Sequence, residues 1–230
     1  DGGQGILVEK GSVVTITDNI IKNNTNGGIV LVASSSNADQ SDTPSEAFIT
    51  GNTIHNNTRA VGGGVHLSHN AQATIEENVF TGNNATQTSA PYGGAAIGFY
   101  TFASHDTVNI SQNNTFSGNT AARVGGAIFL MGDNAVTTIT GNEITGNEAT
   151  PNPQASGAGI YIRGCQSATI YDNTFTDNSA VWRGGAMFIL EGKTYGSGNT
   201  LMTYANYADF NTFTGNTADD TAHDDIYVDN

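Results

Sequence analysis

The chain is short of basic side chains, cysteine and long apolar runs. It holds 7 Lys plus Arg against 21 Asp plus Glu in 230 residues, a formal net charge of −14. A polyanion repels phosphate backbones and anionic headgroups, so neither nucleic acid nor a membrane surface is an expected partner. A single cysteine, Cys165, cannot build a disulfide framework. No apolar run approaches the roughly 20 residues of a membrane-spanning helix, so direct membrane insertion is not expected. The opening DGGQGILVEK has neither the basic start nor the apolar core of a secretory signal. Charged residues are only 12% of the chain, and no stretch carries a helical apolar period. The polarity comes from Asn, Thr, Ser and Gly, the residues of turns and short strands. That composition, with the acidity, points to an extracellular or cell-surface setting.

What is present is a repeat. Asn-x-(Phe or Ile)-x-x-Asn occurs as Asn19/Ile21/Asn24, Asn52/Ile54/Asn57, Asn78/Phe80/Asn83, Asn114/Phe116/Asn119, Asn142/Ile144/Asn147, Asn173/Phe175/Asn178 and Asn211/Phe213/Asn216. Most copies follow a short strand signal centred on Ile, such as Thr15–Thr17 or Thr138–Thr140. Each is followed by a loop, a small-residue pair and an apolar alternation, as in the GGAIFL that starts at Gly125. A period of this size signals a solenoid or a propeller. Propeller blades need strands that pair within the blade. Strands this short, separated by a single Asn, can pair only with the same strand of the next unit. The expected fold is therefore all-β: a single-stranded, right-handed parallel β-helix of about seven to eight coils, with three short strands per coil. Residues 1–230 form one such domain, expected to be a segment of a longer surface protein.

The repeated letters have physical roles in that fold. Alternate strand residues face opposite sides, so Ile128 and Leu130 point inward. Their expected counterparts are Ile6/Val8, Val30/Val32, Val65/Leu67, Ile97/Phe99, Ile160/Ile162, Met187/Ile189 and Ile226/Val228. The motif's Phe or Ile supplies a second inward column and the strand-central Ile a third. The Asn residues sit at the bends, tolerate left-handed backbone and stack as an amide ladder.

GGAI at Gly125–Ile128 together with Phe-x-x-Asn at Phe80–Asn83, Phe116–Asn119, Phe175–Asn178 and Phe213–Asn216 resembles the repeat of the polymorphic outer membrane proteins, a family of surface adhesins. The resemblance implies a parallel β-helix and an adhesin-like stalk or binding module, with a glycan or a host or cell-surface protein as partner.

The same register turns one column outward: Leu7, Leu31, His66, Gly98, Phe129, Tyr161, Phe188 and Tyr227. Beside it run Glu9, Ala33, Ser68, Tyr100, Met131, Arg163, Leu190 and Asp229. The later coils thus offer a row of rings about 4.8 Å apart. Phe129, Tyr161 and Phe188, with Trp182, Arg163 and Tyr227 at the margins, are the candidate ligand-binding residues, because exposed rings attract sugar faces. The competing reading is plain cross-strand stacking, with the segment Glu191–Ala205 folded over the row.

No acid and base converge in sequence, so no catalytic residue is assigned and an enzyme is not the leading expectation. A polysaccharide-active β-helix (lyase, hydrolase or epimerase) remains the alternative function. Arg59, Arg123 and Arg183 share one loop edge on alternating coils, and His66 falls three coils from Arg163. His66 and His69 are a weak metal signal, and no metal site is assigned. Asp219–Asp220 and Asp224–Asp225 suit calcium or a solvated final coil; no other cofactor is implied. Thr81, Ser117, Thr145, Thr176 and Thr214, with Thr115, Thr174 and Thr212 beside them, suggest an ice-binding array as a second alternative, although strand propensity alone favours Thr. The low charge of the first coil suggests end-to-end self-association.

Overall fold

A computed structural model describes residues 3–32, 43–68, 70–89, 92–100, 107–132, 135–165, 167–190, 211–219 and 224–229. Ala33, His69, Asp220 and the segment Glu191–Ala205 lie outside the described residues. Among the described residues every regular element is a strand, and every strand pair is parallel and joins equivalent strands of successive coils. The fold is a right-handed parallel β-helix, and seven strand spacings make it about 35 Å long.

The described strands form four sheets. The first runs from Ile6–Glu9 through Ile128–Met131 to Ile226–Asp229, with eight strands. The second, of six strands, runs from Val13–Thr17 to Ser167–Tyr171, and the third, of seven, from Ile20–Lys22 to Thr212–Thr214. The fourth is new relative to the three expected. It is made of two-residue strands from Thr58–Arg59 to Thr217–Ala218, placed just after the second Asn of each motif. Its buried column is Ala85, Ala121, Ala149, Ala180 and Ala218. Alanine gives no bulky apolar alternation, so the sequence pattern did not announce this sheet.

The interior is stacked by residue type. In the second sheet Ile16, Ile49, Ile75, Ile110, Ile139 and Ile170 pair coil to coil. In the third, Phe80 lies on Phe116 at 4.9 Å and Phe175 on Phe213 at 5.1 Å, nearly parallel. In the first sheet the inward column is as expected except in the second coil. There Ile29 and Leu31 face the core, paired with Ile6 and Val8, while Val30 and Val32 occupy the outward columns assigned to Leu31 and Ala33. The cause is a missing residue. In the later coils a glycine at positive φ (Gly62, Gly94, Gly125, Gly157, Gly184) stands three residues before the strand, whereas Gly27 stands two before Ile29. A one-residue slip exchanges the two faces.

Two asparagine ladders fix the bends. In the first, the backbone N–H and Nδ2 of Asn19, Asn52, Asn78, Asn114, Asn142 and Asn173 each donate to Oδ1 of the next Asn, ending at Asn211. The second ladder runs in the same manner from Asn24 through Asn57, Asn83, Asn119, Asn147 and Asn178 to Asn216. From the second coil on, each Nδ2 also donates to the carbonyl of the inward Ile or Phe one coil back, as Asn142 does to Ile110 and Asn147 to Phe116. From Asn52 to Asn178 the ladder amides are buried with their hydrogen bonds made, which is the condition for burying them at all.

Candidate functional site

The expected aromatic platform is not on the surface. Phe129 is 0% exposed, Tyr161 7% and Phe188 3%, and with Val61, Val124, Met131 and Leu190 they form a second apolar cluster outside the first sheet. The rings do stack as the register requires: Tyr161 on Phe188 at 4.9 Å and Phe188 on Tyr227 at 5.0 Å. The loops that re-enter the sheet contribute to the cover, with Val61 and Val124 in the same cluster. Gly93, Val124, Ser156 and Arg183 pair coil to coil, so these loops form a layer of their own. At Gly98 an added Cβ would lie 2.5 Å from the Gly62 nitrogen and 2.8 Å from Val61, showing how closely the loop crosses the outward column. The signal was present in the sequence. Phe129, Met131, Phe188 and Leu190 are too apolar for a solvated face, and such a column is more economically read as a second core.

The three marginal candidates are half-buried. Arg163 stands in register between Met131 and Leu190. Trp182 and Tyr227 are joined by Arg183, which is not among the expected ligand-binding residues. The Arg183 guanidinium lies 4.4 Å from the Trp182 ring centre and 4.3 Å from that of Tyr227, and it donates to the Tyr227 hydroxyl. Cation–π contacts on two rings hold this cluster at the edge of the second core. The other loop arginines also bridge coils. Arg59 donates to Asn26 (carbonyl and Oδ1, at 2.9 and 2.8 Å), and Arg123 to Thr88 and Gln154. Burial lowers the Arg59 pKa from its ordinary value by desolvation.

His66 shares its column with Gly98, Phe129 and Tyr161, so three coils separate it from Arg163. Among the described residues no group of three or more His, Cys, Asp or Glu is placed to hold a metal.

A concave polar surface lies elsewhere, at the bend between the second and third sheets. Most coils turn there through one left-handed residue before the Asn, such as Gly51, Glu77, Gly141 or Asp172. The fourth coil has two, Gln112 (φ 53°) and Asn113 (φ 62°). The extra residue is tied to both neighbouring coils: the Gln112 carbonyl accepts from Glu77 N–H at 2.9 Å, and Asn113 N–H donates to Gly141 at 2.8 Å. Beside this bulge opens a groove of about 380 Å³, lined by Asn113, Asn114, Thr115, Gly141, Asn142, Glu143, Asp172 and Thr174. Its side chains outside the ladder are hydroxyls, an amide and two carboxylates, of which Glu143 accepts from Thr145 Oγ1 at 3.5 Å. These are groups that can share hydrogen bonds with a polyhydroxylated ligand. The sequence pattern barely marks this groove. The only trace was the doubled Asn113–Asn114, one residue longer than the other copies.

Coil geometry and stacked ladders define the class as a right-handed parallel β-helix solenoid. In agreement, a family model described as a right handed beta helix region matches residues 39–152. No curated protein and no solved structure matches the chain.

Proposed function

We propose that the protein is a non-catalytic, adhesin-like binding module displayed at the cell surface or outside the cell, with a repeat of the polymorphic outer membrane protein type. Its partner is a glycan or a cell-surface protein. The β-helix fold supports this, being an architecture of adhesins and of polysaccharide-active enzymes. So does an acidic, Asn- and Thr-rich composition with one cysteine. The observation that carries the carbohydrate reading is the polar groove at the fourth-coil bulge, with Asn113, Thr115, Glu143, Asp172 and Thr174 along its walls. Trp182 and Tyr227 are the aromatic candidates left on the surface side of the second core.

A glycan-binding screen combined with a polysaccharide cleavage assay tests the proposal. Binding without depolymerisation, weakened about tenfold or more by Glu143→Ala, is the expected result, since a single lost charged hydrogen bond has that size. Depolymerisation that Glu143→Ala or Asp172→Ala abolishes would establish the polysaccharide-active alternative, which the two carboxylates of the groove favour. The threonine columns align in register from Thr81 to Thr214. Glu143 breaks the neighbouring column between Thr115 and Thr174, and a charged, strongly hydrated side chain there works against ice.

A further inference from the structure

Every rung of the second asparagine ladder but the last hands its amide to the next Asn. At the last rung, Asn216 Nδ2 donates instead to Asp225 Oδ1 at 3.0 Å. In the adjoining fourth sheet, Thr217 N–H points back to Asn178, so Ala218 N–H points forward, toward the place of a further coil. It donates to Asp224 Oδ1 at 2.8 Å. Two donors that face out of the C-terminal end are thus both taken by carboxylates of the chain's own re-entry loop.

The positions themselves reinforce this. Met187 pairs with Ile226, so Asp225 stands where the coil below has Ala186. The equivalent residues of the earlier coils are Gly28, Gly64, Ala96, Ala127 and Gly159, always Gly or Ala. Their smallness has a cause: a Cβ added at Gly64 would lie 2.6 Å from the Ala96 carbonyl, and one at Gly159 2.4 Å from that of Ala186, both on the following coil. A stacked coil leaves no room for a carboxylate there.

We propose that Asp224 and Asp225 form a built-in end cap. Their carboxylates occupy the acceptor positions that another coil would supply and close this face of the solenoid to in-register pairing with a second copy of the chain. Exposed sheet edges invite such pairing, and inward-turned charge is an effective block against it. The cap also explains these acidic residues without calcium.

The test combines hydrogen exchange over residues 211–219 with sedimentation velocity across a concentration series, on the whole chain. The Asp224→Ala/Asp225→Ala double variant should exchange about tenfold faster at the Ala218 amide, the size of one lost charge-assisted bond. It should also associate as concentration rises. Exchange in the first coil, at the opposite end, serves as the internal reference for a folded chain. Asp225→Asn keeps an oxygen acceptor and so restores an ordinary rung. It should protect residues 211–219 as the native chain does. A double variant that exchanges and sediments like the native protein would overturn the proposal. So would an Asp225→Asn variant as labile as Asp225→Ala, because repulsion rather than the hydrogen bond would then be the operative effect.

Discussion

Asn142 Nδ2 donates to Asn173 Oδ1 at 3.0 Å, while Asn142 Oδ1 accepts from Asn114 Nδ2 at 2.9 Å. The same side chain reaches back to the Ile110 carbonyl at 3.0 Å. One buried amide therefore ties three successive coils. Asn142→Ala should cost about 1–3 kcal/mol in denaturant unfolding, since partners on both sides lose a bond they cannot replace with water. Asn142→Asp should cost more, because a carboxylate cannot donate to Asn173 or Ile110. Asn19, exposed at the first rung, should lose much less on the same change to Ala.

Tyr161→Ala and Phe188→Ala are core truncations. Each should lower stability by about 3–5 kcal/mol, the range for removing a buried ring. An exposed Tyr161 would behave in the reverse way, with weakened binding and an unaltered melting temperature. Thermal unfolding of Tyr161→Ala decides between them at once. A melting temperature within a degree of native would mean that the re-entry loops do not cover the row.

Gly98→Ala should destabilise by about 1–3 kcal/mol, as overpacking does. Its backbone is not left-handed, so the whole cost arises from the Gly62 backbone 2.5 Å from the new methyl group. Gly146→Ala is the contrast. No atom lies within 4 Å of its added Cβ, but φ is +61°, and the cost is conformational, about 1 kcal/mol. Chemical denaturation of the two variants separates steric from torsional loss.

The bulge that builds the groove holds two consecutive left-handed, non-glycine residues, a conformation that costs about 1 kcal/mol or more at each. Deleting Asn113 would restore the turn used by the other coils and remove the groove wall. The deletion variant should be as stable as the native protein or more so in urea, and should lose glycan binding.

Much of this architecture was legible because its determinants are local and repeated. The Asn-x-(Phe or Ile)-x-x-Asn motif names the bend, the inward ring and the second bend in six residues, and all seven copies fall into register. What was hidden depends on small or absent residues. The fourth sheet is lined by alanine, and the second-coil register hinges on one residue missing after Gly27. The groove hinges on one added at Asn113. Phe129, Tyr161 and Phe188 lie beside a loop layer that pairs through single residues such as Val124 and Ser156, too sparse to leave a period in the sequence.

The ladders also have a direction. From Asn52 to Asn173 and from Asn57 to Asn178 each amide gives one proton to Oδ1 of the next rung, returns the other to a carbonyl of the preceding coil, and accepts on Oδ1 from the rung before, so these joints between coils are chemically alike. A duplicated or excised turn, cut from one rung to the next, would present the same donors and acceptors to its new neighbours. The solenoid can therefore change length by whole turns without its bends being redesigned.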